Sequence, residues 1–594
     1  MIVVHVTHEA VEKVGGIGAV LAGLMTSDAY QQKVSRTIML CPLFQTDRPV
    51  NQRLGESGKL TYSSLDSICP PPWAERFHPI ERTYDVGIVY GTRDISEPCV
   101  GRTVSAEVLL VDVFHANKDR LNLFKGELYR KFAVPSDEFE KIWWYEEYVR
   151  LAEPGYEALK AIGVNGDQKQ VVVLSHEYMG MPTVLKFILS GSPQTRTVFY
   201  AHEVASVRPI VEEIPGHDTV FYNIIRKASG TDVTLEKVFP SVLSNFKHPL
   251  VKAARYCDHV FAVGDHIASE LEFLDPHFRT MEIDLVYNGI PAFNLSMDQK
   301  LHSQALLKEY SRNLFGFLPS WVFTHVARPV LSKGIWRDLG VLHHLEELLV
   351  EWGETAVYIM LGTLVGKRRG QDVRQMERVY GWPVVHERGY PDLCNGEKAV
   401  GDMFDAFNKG HQAVRVVFVN QWDWNRQVCG DRMPEGMTFA DIRHGTDLEF
   451  GLSVYEPFGI SQFEPLSFGA LCVVSSVCGC MGLARQIAQK MRIDNNIIEA
   501  DYLQLPETMS IQEILAMSIA DRDKIESATN AQVARLIVDR LPRQSKTLDE
   551  RIATGHQIAK LMSWDQVVIN YFMPSLRRAS GNENKNILNL LKLR

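Results

Sequence analysis

Residues 450–464, FGLSVYEPFGISQFE, combine a short apolar run, a loop and the beginning of a helix. The run 450–454 is typical of a strand that is buried on both faces of a parallel sheet. Glu456 lies in the loop, and Glu464 lies in a helix that we expect to continue through residues 466–470. Two carboxylates placed in this way can bind two ends of one ligand. A glutamate favoured by the helix dipole together with an ordinary surface glutamate is the simpler explanation of this segment taken alone.

The same succession of apolar run, turn and helical pattern recurs along the chain. Helices are expected at 17–30, 140–162 and 298–314, among others. Strands alternating with helices predict an α/β fold with parallel sheets. The expected strands are 2–6, 36–40, 86–90, 107–113, 171–174, 197–200 and 259–263, and then 321–327, 356–361, 414–420, 450–454 and 471–475.

The pattern breaks at residues 286–291, VYNGIP, where an Asn-Gly turn is followed by a proline. A chain of 594 residues exceeds what one hydrophobic core usually supports. We therefore expect two doubly wound, Rossmann-like domains, at 1–288 and 289–560, that face each other across a cleft. Residues 561–580 are expected to form a helix that crosses back to the first domain, and 581–594 a tail. Open α/β sheets bind ligands at the carboxyl ends of their strands.

The composition is that of an ordinary globular protein, with 45% hydrophobic and 23% charged residues. A formal net charge of −9 disfavours a nucleic-acid partner bound through phosphate neutralisation. Nine cysteines without a CxxC pair predict reduced thiols and no metal site. No apolar run approaches the roughly 18–20 residues that span a bilayer, so we expect a cytoplasmic protein without a membrane span.

A glycine-rich turn at 13–18, KVGGIG, follows the first strand and opens a helix. Gly15 and Gly16 let the backbone approach a ligand, the helix N-terminus offers free N–H groups to an anion, and Lys13 adds a positive charge. A turn without a ligand is an equally good interpretation. The spacing is not the GxGxxG dinucleotide fingerprint.

A second candidate, 328–334, RPVLSKG, follows the first strand of the second half. The cations Arg328 and Lys333 can hold a diphosphate and stabilise the charge that develops as it leaves. An ordinary surface loop is the alternative. The stretch 365–410 is poorly periodic and is expected to be a partly exposed insertion, in which Lys367, Arg368 and Arg369 form an anion site or, more simply, a solvated surface run.

Two histidines, His176 and His202, each follow a predicted strand and each precede a glutamate. Both are placed where ligands bind in α/β sheets, although a structural histidine is as good an explanation for each. The His-Glu pairs do not form HExxH, which disfavours a zinc protease. Ser461 lacks a GxSxG elbow, which disfavours a hydrolase triad.

Taken in order, these motifs resemble those of the glycogen and starch synthase group of retaining glycosyltransferases, which have the two-domain GT-B fold. The turn at 13–18 resembles the lysine-x-glycine-glycine donor loop, and 175–180 resembles the segment that carries the group's histidine signature. Arg328 and Lys333 have the spacing that grips the donor diphosphate. The remaining matches are Glu456 with Glu464, the strand at 257–264, the crossing at 286–290 and the start of the final helix at 562–565.

The resemblance implies transfer of a hexosyl group, with glucosyl as the first choice, from a nucleotide-diphosphate sugar to the non-reducing end of a glucan. It implies that Glu456 holds the sugar, Glu464 accepts hydrogen bonds from the ribose, and His202 stabilises the sugar without acting as a nucleophile. It requires neither a metal nor a cofactor, because Arg328 and Lys333 compensate the charge. The other residues implied are Lys13, Gly15, Gly16, Phe458, Gly459 and Ile460 for the donor, and His176 and Glu177 on the acceptor side.

Three alternatives remain open at this point. The first is a GT-B transferase with a small acceptor, such as a sugar phosphate or a compatible solute. The second is a catalytically silent sugar-binding protein on the same fold. A Rossmann oxidoreductase is the weakest, because no GxGxxG motif with a ribose-binding acid follows a strand. The residues do not select among ADP-, UDP- and GDP-linked sugars, and they do not indicate an oligomeric state.

Overall fold

The computed structural model describes residues 1–12, 15–97, 101–164, 170–213, 217–491 and 496–581. The chain divides into two compact units, each made of segments that are not contiguous in sequence. Unit 1 contains Met1–Pro209, Ala228–Gly289 and Trp564–Arg594. Unit 2 contains Ile210–Lys227 and Ile290–Ser563. Each unit has its own sheet, and the predicted α/β class is confirmed for both.

The sheet of unit 1 has nine strands in the order β3-β4-β5-β2-β1-β6-β7-β8-β9. From β5 to β9 all neighbouring strands are parallel, and β1 lies between β2 and β6. The strands are β1 (Ile2–Val6), β2 (Arg36–Pro42), β3 (Lys59–Ser63), β4 (Gly87–Glu97), β5 (Arg102–Asp112), β6 (Val171–His176), β7 (Thr195–Ala201), β8 (His259–Ala262) and β9 (Ile283–Leu285).

The parallel orientation expected for residues 86–90 is wrong. β4 is antiparallel to β5 and to β3, and it extends to Glu97. The physical reason is the short connection, since β5 begins at Arg102 and a parallel crossover needs a dozen or more residues. The predicted strand at 107–113 is the second half of β5, which does run parallel to β2. β3 and β9 carry too few apolar residues to be found by pattern.

The sheet of unit 2 is entirely parallel, with six strands in the order β12-β11-β10-β13-β14-β15. Counted from β10, this is the 3-2-1-4-5-6 order of a dinucleotide-binding sheet. Its topological switch point therefore lies between β10 and β13. The strands are β10 (Trp321–Val326), β11 (Ala356–Leu361), β12 (Val414–Val419), β13 (Leu448–Gly451), β14 (Leu471–Ser475) and β15 (Ile497–Ala500).

Helices connect the strands in both units. The predicted helix 17–30 is divided at Ser27, where the backbone is extended. Numbered along the chain, the helices are α1 (Gly16–Thr26), α2 (Asp28–Lys33), α3 (Pro71–Tyr84), α4 (Lys118–Phe132), α5 (Trp143–Ala161), α6 (Glu177–Ser190), α7 (Arg208–Glu213), α8 (His217–Ala228), α9 (Leu235–Val238), α10 (His248–Ala253), α11 (Asp265–Leu274), α12 (Met297–Phe315), α13 (Ile335–Trp352), α14 (Gly370–Tyr380), α15 (Glu397–Gly410), α16 (Arg426–Cys429), α17 (Phe439–Gly445), α18 (Ile460–Phe463), α19 (Cys480–Met491), α20 (Ile511–Leu515), α21 (Ile519–Arg540), α22 (Ser545–Leu561), α23 (Trp564–Val567) and α24 (Met573–Ala579).

Shorter turns of helix complete the chain. Residues Val568–Phe572 continue α23 into α24 as one π-helical turn, and all three segments belong to unit 1. The 3₁₀ turns are Val50–Gln52, Pro240–Ser244, Ala254–Tyr256, Pro276–Thr280, Leu331–Lys333 and Glu464–Phe468. No described helix is both long enough and apolar enough to cross a membrane.

The sheet of unit 2 is buried on both faces. Alternate residues of each strand point to opposite sides, and each set packs in its own hydrophobic cluster. Phe323 packs on one face with Tyr358 and Phe450. Val322 and Val357 pack on the other face with the helix residues Leu307 and Tyr310. Double-sided burial explains why these strands are nearly continuous apolar runs in the sequence.

The interpretation of residues 365–410 as an insertion is wrong. They form the crossover from β11 to β12, and α15 contributes Val400 and Phe404 to the core of unit 2. Arg368 is not on a solvated surface: it is 4% exposed. Its guanidinium donates to Glu397 at 2.5 Å and to the carbonyl oxygens of residues 391, 392 and 420. Its donors are thus committed to the fold.

Helix α8 precedes most of unit 2 in sequence but belongs almost entirely to it. Asp218 forms a bidentate pair with Arg337 at 2.9 and 2.6 Å, and Glu526 takes the remaining guanidinium edge at 2.8 Å. All three side chains are buried. The Thr219 hydroxyl donates to the carbonyl of Tyr502 at 2.8 Å. A buried charge network therefore holds α8 in this unit.

Breaking this network should be far more damaging than breaking a surface ion pair. In Asp218→Asn, Arg337 keeps Glu526 but loses one of its two carboxylate partners, and the new amide N–H₂ cannot accept from the guanidinium. We expect a loss of about 1–3 kcal/mol in unfolding free energy. The matched control is Asp405→Asn, which breaks the exposed pair with Lys409 and should cost no more than about 0.5 kcal/mol. Urea unfolding followed by tryptophan fluorescence measures both. Equal losses in the two variants would contradict the structural role of the pair.

Candidate functional site

The switch point of unit 2 brings two predicted motifs together. The loop after β10 contains Arg328 and Lys333, and the loop after β13 contains Glu456. β10 and β13 are neighbouring parallel strands, so both loops leave the same carboxyl edge of the sheet. The Lys333 ammonium contacts Oε2 of Glu456. Both side chains keep part of their surface in solvent, 19% and 14% respectively.

Backbone hydrogen bonds join the two loops. Val454 and Tyr455 both donate their N–H groups to the carbonyl oxygen of Ser332, at 2.9 and 3.4 Å. Gly334 has a φ of +64°, and a Cβ at this position would lie 2.2 Å from the carbonyl oxygen of Leu452. Only glycine allows this close approach. These backbone contacts hold the two loops together and so keep Lys333 close to Glu456.

A third segment, which contains Gly479 and Cys480, forms backbone hydrogen bonds with the loop of Glu456. Gly479 donates its N–H to the carbonyl oxygen of Glu456 at 3.0 Å, and Cys480 donates to that of Phe458 at 2.8 Å. A Cβ on Gly479 would lie 1.8 Å from the Pro457 carbonyl oxygen. Phe458 is itself buried. The 456–458 segment is therefore held on both its side-chain and its backbone sides.

Arg328 differs from Lys333 in being exposed. Within the described part of the chain, its guanidinium has no ion-pair or hydrogen-bond partner. An unpaired guanidinium in the same loop as a lysine, after a strand of a parallel sheet, is well suited to an incoming phosphate group. No group of three or more His, Cys, Asp or Glu side chains among the described residues is arranged to hold a metal ion.

The second carboxylate, Glu464, lies one short helix farther on. Its Oε2 is 3.0 Å from Nε of Arg443, which also faces Glu449 at 3.1 Å. The helix expected to run through 466–470 is instead α18, which begins at Ile460, followed by the 3₁₀ turn Glu464–Phe468. Pro465 and the left-handed Gly469 explain the early end. Gly459, with φ +91°, introduces α18.

At the glycine-rich turn in unit 1, a carboxylate of the chain itself binds an N–H group at the start of helix α1. Lys13 lies outside the described residues, and Gly15 and Gly16 are exposed at the start of α1. The buried carboxylate of Glu9 accepts the N–H of Gly18 at 2.8 Å. A carboxylate near a helix N-terminus is stabilised by the same N–H groups that would bind a phosphate. Any anion at this turn would have to share these groups with Glu9.

His176 and His202 lie at the carboxyl ends of β6 and β7. Their ring planes are within 11° of each other, and Nδ1 of His176 is 2.8 Å from Nε2 of His202. His176 is fully buried, and its other nitrogen is 2.9 Å from His5. Neither ring nitrogen of His176 is therefore free for the direct contact with the acceptor sugar that the resemblance implies. Glu177 is also buried, adopts a left-handed φ of +61°, and accepts the N–H of Glu203 at 2.5 Å.

Burial controls the ionisation of these groups. It lowers the pKa of His202 to about 3, with a smaller contribution from the neighbouring His8 and His5. It raises the pKa of Glu177 well above its usual value, and the nearby Glu203 adds to this increase. His202 is therefore a neutral imidazole at physiological pH, which can share a hydrogen bond but is not a standing positive charge.

Sequence reasoning missed several residues that shape the site. Arg443 and Gln462 contact the two key glutamates, Gln462 donating to Ser453 at 2.9 Å and lying 3.5 Å from Glu456. Neither residue is part of a recognisable motif. His5 lies within an apolar run that predicts only a strand, although a histidine in a fully buried strand is itself an unusual signal.

Comparison with known proteins gives structural likeness only. No protein-family model matches the chain, and no curated protein matches it. Among solved structures, it is similar to a UDP-forming alpha,alpha-trehalose-phosphate synthase from Burkholderia xenovorans, with 12% identity, a TM-score of 0.47, and 98% of this chain and 99% of that chain covered. It is also similar to the catalytic domain of Starch Synthase IV from Arabidopsis thaliana bound to ADP and acarbose, with 14% identity, a TM-score of 0.48, and coverage of 98% and 99%.

A third similar structure is an alpha,alpha-trehalose 6-phosphate synthase from Burkholderia multivorans, with 10% identity, a TM-score of 0.48, and coverage of 100% of this chain and 98% of that chain. All three likenesses extend over nearly the whole length. Because their TM-scores lie below 0.5, the function proposed below rests on the residues of this chain.

The packing of Gly479 against the Glu456 loop gives a direct test of this site. Gly479→Ala places a methyl group on the Pro457 carbonyl, so the loop must move, and we expect a loss of about 1–3 kcal/mol from overpacking. Gly410→Ala is the control, because a Cβ there meets nothing within 4 Å. Differential scanning calorimetry should show a lower Tm for the first variant only. Equal Tm values would contradict the described contact.

Proposed function

We propose that this chain is a retaining glycosyltransferase that takes a hexosyl group from a nucleotide-diphosphate sugar. The observation that carries the proposal is the pairing of Lys333 with Glu456 at the switch point of a 3-2-1-4-5-6 sheet, with the unpaired Arg328 on the same strand end. Sheets of this order bind nucleotides at that position. A carboxylate paired with a lysine, with an arginine in the same loop, provides for a sugar next to its leaving diphosphate.

The two cations would stabilise the leaving group. As the bond from the sugar to the diphosphate breaks, negative charge builds up on the phosphate oxygens. Fixed positive groups oriented toward that charge lower the barrier without reorganising. In the free chain, Lys333 is neutralised by Glu456, and a diphosphate would draw its ammonium away. Arg328 is already available, and its planar fork suits two phosphate oxygens.

Glu456 and Glu464 would orient the donor. Glu456 would accept hydrogen bonds from the sugar, and it is held in place by Gly479 and Ser332 through the backbone. Glu464 would accept hydrogen bonds from the ribose hydroxyls while Arg443 holds its second oxygen. Retention of configuration, a front-face route in which the leaving phosphate helps to deprotonate the acceptor, and a sugar contact from the neutral His202 are expectations carried over from the glycogen and starch synthase resemblance.

Two acceptor classes remain candidates. The motif resemblance favours the non-reducing end of a glucan. A different feature favours a small phosphorylated acceptor, namely a cavity of about 50 Å³ beyond β1 and β2, lined by His8, Phe44, Arg48 and Arg53. Arginines at strand carboxyl ends suit a phosphate. Here both are already engaged, Arg48 by Glu12 and Arg53 by Asp66, so the glucan remains our first choice.

Donor binding can be measured without knowing the reaction. ADP, UDP, GDP and their glucose conjugates should be screened by thermal shift. Compounds with one of the three bases should raise the Tm more than the others. The shift is measurable because a ligand at a hundred times its Kd adds about 2.7 kcal/mol of stability. Lys333→Ala should abolish most of the shift, whereas Lys409→Ala, which removes a lysine paired with an exposed aspartate, should keep it. The absence of any shift with all six compounds would refute nucleotide-sugar binding.

Catalysis is tested at Glu456. Glu456→Ala removes a group that contacts the reacting sugar, so turnover should fall by about 10²- to 10³-fold while the Tm is kept. Glu499→Ala is the control, since Glu499 is likewise a carboxylate paired with a cation, Arg485, but lies on the surface of the same unit. Release of nucleoside diphosphate from the donor measures both. Normal turnover in the Glu456 variant would refute its role, and nucleotide binding without any transfer would favour the silent sugar-binding alternative.

The acceptor classes separate in one assay. With the selected donor, labelled maltooligosaccharides and hexose phosphates are supplied side by side. Extension of the oligosaccharide supports a glucan synthase. Transfer only to the hexose phosphate supports the small acceptor, and Arg48→Ala should then raise its KM.

A further inference from the structure

Five buried or half-buried side chains of unit 1 form a continuous chain of hydrogen bonds. Thr37 Oγ1 is 3.0 Å from Tyr30 Oη, which is 3.0 Å from Nε2 of His5. Nδ1 of His5 is 2.9 Å from Nε2 of His176, and Nδ1 of His176 is 2.8 Å from Nε2 of His202. We call these residues the histidine relay.

Sheet register explains why three histidines from distant parts of the sequence meet. β1, β6 and β7 are adjacent, with His5 beside Leu174 and His176 beside Tyr200. Residues two apart in a strand lie on the same face. The histidines therefore share one face of the sheet and rise by two residues per strand, until His202 is reached at the carboxyl edge.

The three imidazoles are neutral. Burial lowers the pKa of His5 to about 3. It also lowers the pKa of His176 well below its usual value, with a contribution from the neighbouring histidines. His202 has a pKa of about 3 for the same first reason. Each ring thus carries one N–H, which donates, and one bare nitrogen, which accepts.

One donor and one acceptor nitrogen per ring restrict the relay to two arrangements of its hydrogen atoms. Each imidazole must accept at one nitrogen and donate from the other, so the hydrogen bonds must all run in one direction. Because the bonds alternate between Nδ1 and Nε2, the three rings share one tautomer: all carry hydrogen on Nδ1, or all carry it on Nε2. The hydroxyls of Tyr30 and Thr37 can donate or accept and so complete either direction.

We propose that His5 and His176 are positioning residues that hold His202 in one orientation and tie its neutral tautomer to their own. Nδ1 of His202 has no hydrogen-bond partner among the described residues, and it is the relay's one ring nitrogen left for a ligand. The tautomer shared along the relay sets whether this nitrogen donates or accepts. Only the identity of that ligand, a sugar hydroxyl, rests on the proposed function.

The tautomers can be measured directly. Solid-state NMR of the full chain labelled with ¹⁵N-histidine reports the protonation of each ring nitrogen, and single histidine replacements assign the three signals. At pH 7 we expect His5, His176 and His202 to be neutral and to share one tautomer. Different tautomers among the three, or an imidazolium, would overturn the proposal.

A single hydroxyl tests the coupling. Tyr30→Phe removes the hydroxyl that pairs with Nε2 of His5 and keeps the ring packing, so the tautomer populations of all three histidines should change together. Tyr145→Phe is the matched control, because its buried hydroxyl bonds Ser136 at 2.7 Å and takes no part in the relay. Unchanged histidine signals in Tyr30→Phe would also overturn the proposal.

The functional arm uses the same two variants. Tyr30→Phe should lower kcat for transfer by about three- to tenfold, the worth of one hydrogen bond, with the donor KM unchanged. Tyr145→Phe should leave both constants unchanged. Equal kcat values in the two variants would overturn the link to catalysis. If the native chain transfers no sugar, the proposed function fails, and the tautomer measurement still decides the relay.

Discussion

A parallel strand that is buried on both faces reaches solvent only at its ends, and this constraint arranges the chemistry of the molecule. In both sheets, polar groups that could contact a ligand are confined to the loops beyond the strands. The buried polar side chains elsewhere must be satisfied internally, as Arg337 is by Asp218 and Glu526. The order of the strands then determines which loops are neighbours, and so places Lys333 beside Glu456.

The sequence predicts this arrangement well where one physical signal dominates. Apolar runs identify the central strands of both sheets, because double-sided burial favours apolar residues at most positions. Loop residues such as Arg328, Lys333 and Glu456 follow those runs directly, so their placement at strand ends could be predicted. That Lys333 and Glu456 touch could not, since adjacency of β10 and β13 is a property of strand order rather than of either motif.

The predictions fail where tertiary context overrides a local pattern. Arg368 belongs to a run of three cations that is typical of a solvated surface, yet carbonyl oxygens at three positions and Glu397 draw it into the interior. Within the stretch 365–410, the helices α14 and α15 are separated by residues whose carbonyl groups surround this arginine. Residues 86–90 form an apolar run typical of a parallel strand, but the short connection to β5 makes β4 antiparallel. The histidine relay depends on the register of three strands, which no single segment records.

The membership of α8 in unit 2 has a consequence for the order in which the chain can fold. Asp218 is synthesised 119 residues before Arg337, and the Tyr502 carbonyl that binds Thr219 comes 283 residues later. At ribosomal rates of about 5–20 residues per second, the first interval alone lasts about 6–24 s. Throughout that time, the carboxylate that will be buried has no counter-charge. Folding of unit 2 therefore has to wait for the second half of the chain, and a nascent chain paused in that interval would present α8 to the chaperones that attend the ribosome.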